Sequence, residues 1–122
     1  MPQIFLEYTA NIRDINFKKL LAEVHSILSQ RLPTNIESCK SRIIKHNDYL
    51  IGDGNQNNAL VNIDIAVLPG RTEELLRSVA IEIKELLESS LKVEKNIGLV
   101  LQVCVSIKDV PSIYYKGSHI IK

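Results

Sequence analysis

The chain has 122 residues, 45% hydrophobic and 24% charged, and its 15 basic and 14 acidic side chains leave a net charge of +1. That length suits one compact domain with a real core and is too short for two. The even charge balance, with no long run of one sign, argues against nucleic acid, which calls for a clustered basic surface. No apolar stretch reaches membrane-spanning length.

The chain opens Met1-Pro2-Gln3-Ile4-Phe5-Leu6-Glu7-Tyr8. Ile4, Leu6 and Tyr8 alternate with Gln3, Phe5 and Glu7, the period of a strand. Initiator methionine is commonly trimmed ahead of proline, and without Met1 the first strand would begin at a secondary amine. A free α-amino group titrates near ~7.7–8.0, and burial lowers that value because desolvation disfavours the cation. An amine partly neutral near pH 7 is a competent general base. The plain alternative is a proline tolerated at a strand's first position.

From Asp14 to Leu32 the period changes, with Phe17, Leu20, Leu21, Val24, Ile27 and Leu28 forming one apolar helical stripe. Asp14 or Asn16 can cap it, and Pro33 ends it. His25, beside the stripe, reads as structural. A second strand candidate runs from Lys40 to Leu50 and closes on the turn Gly52-Asp53-Gly54-Asn55. Ala59 to Leu68 alternates again, and Pro69-Gly70 break it. Thr72 caps a second helix, with Glu73 and Glu74 suited to the positive end of its dipole. Leu75, Leu76, Val79, Ala80, Ile83, Leu86 and Leu87 form its stripe. Leu99 to Lys108 is the fourth strand, followed by Pro111 to Gly117 and a short tail.

The order is β-α-β-β-α-β, one domain over residues 1–122 with halves of about 1–55 and 56–122. Right-handed crossovers put both helices on one face of a four-stranded mixed sheet, a two-layer α+β plan. The other face then carries Gln3, Phe5, Glu7, Asn62, Asp64, Gln102, Cys104 and Ser106. It is neither greasy nor strongly charged, which fits water or a partly wet contact with further copies of the chain.

Two cysteines make no disulfide framework, and with no charged leader followed by an apolar region the chain reads as cytoplasmic. Cys104, inside Val103-Cys104-Val105, reads as a buried inert thiol. Cys39, beside Lys40, is a candidate activated thiol without a partner histidine. His25, His46 and His119 lack metal-ligand spacing, so no metal is expected. Arg71 reads equally as a solvated residue beside a helix start, whereas Arg42, flanked by Ile43 and Ile44, needs a partner or a ligand.

A Met-Pro start running into a strand, the doubled β-α-β plan, and Pro69-Gly70-Arg71-Thr72 heading the second helix resemble the tautomerase superfamily. Within it, Asn11-Ile12-Arg13, Ser41-Arg42-Ile43, Asp53-Gly54 and Gly70-Arg71-Thr72 followed by Glu are similar to the 5-carboxymethyl-2-hydroxymuconate delta-isomerases over nearly the whole chain. The resemblance implies a homotrimer with inward-turned sheets and a site around Pro2 near a subunit contact. It implies a proton shift in a small, unsaturated, carboxylated substrate, with Pro2 as base and neither metal nor organic cofactor. Arginines bind the substrate's oxygens in that group, roles that fall on Arg71 and Arg42. The subgroup tends to carry two arginines around the strand serine, whereas this chain reads Lys40-Ser41-Arg42. Lys40 shares a strand face with Arg42, but a point charge does not reproduce a bidentate fork. The alternative from another class is a non-catalytic, oligomeric, ferredoxin-like module that binds a small acid or a protein. Dehalogenation or decarboxylation at the same proline is a further alternative.

Overall fold

Two β-α-β units share one sheet. The computed structural model describes residues 2–122, so the expected trimming of Met1 lies outside the described residues. In chain order the elements are β1 (Gln3–Thr9), α1 (Phe17–Arg31), β2 (Lys40–His46), β3 (Asn58–Val67), α2 (Glu73–Ser90) and β4 (Val100–Asp109). Short 3₁₀ turns at Ile36–Ser38 and Glu94–Asn96 lead into β2 and β4.

The four strands lie in the order β2-β1-β3-β4. β1 runs parallel to β2, with Gln3 opposite Lys40 and Phe5 opposite Arg42. β3 runs parallel to β4, and the two units join antiparallel, Gln3 facing Ala66 and Leu6 facing Ile63. The sheet is thus mixed, as expected. β3 shows the strongest alternation: Ala59, Val61, Ile63, Ile65 and Val67 are buried, and the residues between them are not. Those side chains meet Ile4 and Leu6 of β1, Leu20, Val24 and Leu28 of α1, and Val79, Ile83 and Leu87 of α2 in one core. Both helices therefore cover the same face.

Local chemistry accounts for the boundaries. Asn16 caps α1 by accepting from the Lys19 amide at 3.0 Å, while Asp14 sits at φ 59° and cannot be helical. The helix therefore begins at Phe17, the first residue of its apolar stripe, with Asn16 rather than Asp14 as its cap. Thr72 caps α2 through the Leu75 amide at 3.1 Å, as its position implied. β2 stops at His46 and does not reach Leu50. Its parallel partner ends at Thr9, opposite His46, so Asn47–Leu50 have no strand to pair with and are exposed.

One expectation fails. Cys104 is exposed, because β4 turns Leu101, Val103, Val105 and Ile107 toward the helices and leaves Gln102, Cys104 and Ser106 on the open face. An apolar neighbourhood in sequence is not one in space when side chains alternate with period two.

Candidate functional site

The topology brings one end of every strand pair to the same place. β1 and β2 are parallel, so Pro2 and Lys40 are neighbours, and the Lys40 amide donates to the Pro2 carbonyl at 3.0 Å. β3 runs the other way, so Val67 and the turn beyond it arrive at that same end. β4 follows β3, and the Val110 amide donates to the Val67 carbonyl at 2.8 Å. Pro2 itself is buried.

Arg42 projects onto the open sheet face. Its Cζ lies 3.8 Å from the centroid of the Phe5 ring, a stacked cation–π contact with the residue opposite it in register. Its Nη1 donates to Gln3 Oε1 at 2.6 Å and to the Lys40 carbonyl at 3.4 Å. The strand arginine has thus found protein partners that hold one edge of its fork, with Gln3 next in chain to Pro2. Lys40 Nζ donates to the Ser38 carbonyl at 2.6 Å. Pro2, Lys40 and Arg42 are brought together through Gln3 and the β1–β2 ladder.

Arg71 has a different setting. Gly70, at φ 121°, lets the chain swing from β3 into α2, a backbone conformation that side chains rarely adopt. Arg71 then donates from Nη1 to the Leu68 carbonyl at 3.0 Å and from Nη2 to the Leu32 carbonyl at 2.6 Å. Leu32 is the C-cap of α1, so the guanidinium satisfies an orphan carbonyl and complements the negative end of that helix. Arg71 ties the end of α1 to the end of β3, and it shares no hydrogen-bond partner with Arg42 among the described residues.

Gln3 and Tyr114 complete the cluster, and sequence reasoning gave neither a site role. Gln3 Nε2 donates to the Tyr114 hydroxyl at 3.1 Å across 111 residues of chain. The only sequence signal for Gln3 was its place on the uncovered face.

The rest of the open face is wired by polar side chains. His46 Nε2 lies 2.9 Å from Glu7 Oε1. Asn62 donates to Glu7 at 3.2 Å and to Asp64 at 3.1 Å, and the Ser106 hydroxyl donates to Asp64 at 2.6 Å. This band crosses all four strands, which explains why the face looked mixed in sequence.

Two clefts lie elsewhere. One, of about 700 Å³, sits between the end of α2 and β4, lined by Ile12, Leu91, Ile97, Leu99 and Leu101 among others. The other, of about 520 Å³, lies between α1 and β2 and contains His25 and Ser41, whose Nε2 and Oγ are 2.6 Å apart. Burial pushes the His25 pKa down, which suits the structural role read from sequence. Neither cleft is lined by Pro2 or Arg42. Burial also pushes the Cys39 thiol pKa up, against the pull of Lys40, so an activated thiol is not what this position favours. Among the described residues no group of three or more His, Cys, Asp or Glu is placed to hold a metal ion, and no helix is long and apolar enough to cross a membrane.

With this geometry in place, comparison with known proteins gives a consistent picture. The model of the 5-carboxymethyl-2-hydroxymuconate isomerase family matches residues 2–119. No curated protein matches the chain. Among solved structures, a 5-carboxymethyl-2-hydroxymuconate isomerase from Deinococcus radiodurans R1 is 20% identical, with TM-score 0.84 over 96% of this chain and 90% of that one. A macrophage migration inhibitory factor-like protein from Entamoeba histolytica is 18% identical, with TM-score 0.68 over 97% and 96%. A fused 4-OT symmetric trimer is 16% identical, with TM-score 0.70 over 89% and 85%.

Proposed function

The chain belongs to the 5-carboxymethyl-2-hydroxymuconate isomerase family and is an isomerase of tautomerase-like fold, and on that footing we propose that it moves a proton within a carboxylated dienol or unsaturated keto acid, with the Pro2 amine as general base. The observation that carries the reading is the buried Pro2 at the head of β1, one residue before Gln3, whose side chain accepts from an Arg42 guanidinium stacked on Phe5. Pro2 nitrogen takes a proton from the enol oxygen or the allylic carbon and returns it further along the conjugated system. The bonding electrons shift through the π system to a keto product, and the amine is regenerated. No electrons leave the substrate, so the step needs no redox partner.

The intermediate gathers negative charge on oxygen, and cations fixed beforehand stabilise it without reorganising during the reaction. Arg42 is the first anchor, with Lys40 beside it on the same strand. Arg71 adds positive charge near the end of β3, and the carbonyls of Leu68 and Leu32 take only two of its five N–H donors. Neither of the two clefts described above is lined by Pro2 or Arg42, which supports a site closed by a second copy. The solved symmetric trimer of this fold fits a homotrimer with the open faces turned inward. The substrate class points to aromatic catabolism in the cytoplasm.

Incubation with bromopyruvate at neutral pH should alkylate Pro2, a N–C bond forming as bromide leaves and the proton passes to solvent. A Cys104→Ser background removes the exposed competing thiol. Peptide mass spectrometry should find the adduct on residue 2, and an adduct only on lysines, or a terminus blocked by Met1 or an acetyl group, would remove Pro2 as base. Separately, Arg42→Lys keeps the charge but loses the fork and the Phe5 stacking. It should raise KM for a dicarboxylated dienol by about tenfold, the worth of roughly one charge-assisted hydrogen bond. An unaltered KM would exclude Arg42 as the anchor.

A further inference from the structure

We propose that Tyr114 is a substrate-binding residue whose phenolic O–H donates to the carboxylate held by Arg42, an assignment that rests on the isomerase reading above. Two hydrogen bonds fix the direction of every donor involved. An arginine has donors only, so Gln3 must present Oε1, not its NH₂, to Arg42 Nη1. The amide is then oriented, and its Nε2 can only point to the other neighbour, the Tyr114 hydroxyl. A hydroxyl receiving a donor uses a lone pair and keeps its own proton. That O–H has no acceptor among the described residues, and neither do Nε and Nη2 of Arg42. A set of donors is left over on the two sides of one amide, next in chain to Pro2. An anion's oxygens satisfy such a set.

The path of the tail supports a dedicated role. After β4 the chain is pinned by the Val110 amide on the Val67 carbonyl, with Val110 only 7% exposed, at the Pro2 end of the sheet. Beyond this point Ile113 is 81% and Tyr115 92% exposed, whereas Tyr114 between them is half-buried and reaches back to β1. Its neighbour Tyr115 supplies an internal control of the same chemistry on the same segment.

The test separates binding from turnover. The probe is cis,cis-muconate, a dicarboxylated diene without an enol to ketonise, titrated calorimetrically into Pro2→Ala protein so that affinity is read whether or not Pro2 is the base. Tyr114→Phe in that background should weaken binding about tenfold, equivalent to about 1.4 kcal/mol, while Tyr115→Phe should leave it within twofold. The same loss should persist on an Arg42→Lys background, because a direct donor acts beside the guanidinium rather than through it. Methylation of the probe's carboxylates should abolish the effect of Tyr114→Phe on affinity. In the otherwise natural enzyme, Tyr114→Phe should raise KM with kcat within about twofold. Affinity unchanged by Tyr114→Phe, or a loss that vanishes once Arg42 is replaced by lysine, would overturn the assignment. Full turnover by the Pro2→Ala protein would instead sink the base assignment and leave the binding result standing.

Discussion

Replacing Pro2 with alanine is expected to lower kcat by about 10²–10⁴-fold, the usual contribution of a positioned general base. KM should change far less, because Lys40 and Arg42 keep their places: Lys40 is held by its own amide and Nζ, and Arg42 by Gln3 and Phe5. A kcat loss at nearly constant KM marks an interaction made in the transition state only. Alanine still offers an α-amine, but it loses the ring that fixes φ and fills the buried position at the head of β1. The reaction should also fail as pH falls. A base works in its neutral form, present above its pKa and lost below it. Steady-state ketonisation of a 2-hydroxymuconate-type dienol, followed by loss of its ultraviolet absorbance, measures all of this. Unchanged turnover would mean that another group carries the proton.

Ile63→Ala should destabilise the fold by about 2–5 kcal/mol. Ile63 is 0% exposed and sits in the middle of β3, flanked by Leu6 of β1 and Val105 of β4. Removing its outer carbons leaves a void where the sheet meets both helices, and a central strand has no edge through which to relax. Against a typical total of about 5–15 kcal/mol, that is a large fraction of the stability. Urea unfolding at one fixed protein concentration gives the value, since association would add a concentration-dependent term. A change below about 1 kcal/mol would mean that the core collapses onto the gap, or that association supplies most of the stability.

Much of the architecture was legible because period is a local property. The alternation of β3, the helical stripes, the Thr72 cap and the Gly70 turn each depend on a few neighbouring residues, and each stands where the pattern put it. Where the reading went astray, the deciding fact lay across the sheet. β2 is shorter than its residues suggest because β1 runs out at Thr9, and no feature of Asn47–Leu50 announces that. Cys104 is exposed because the uncovered face, where its place in the alternation put it, is open, while the valines on either side turn toward the helices. The identity of an apolar stretch is local, but the side it faces is relational.

The same division runs through the site. The doubled β-α-β plan, the proline at the head of the first strand and the cationic residues around it are all written in the order of the amino acids, because periodicity and residue chemistry need no partner to be read. How those residues are employed was settled by folding. The fold tied Arg42 to Gln3 and Phe5, committed both Nη atoms of Arg71 to the carbonyls of Leu32 and Leu68, and carried Tyr114 back to β1 from the other end of the chain. The reason is that a charged side chain takes whichever partners the folded backbone leaves unpaired nearby. Those partners, 111 residues apart for Gln3 and Tyr114, are set by strand order and register.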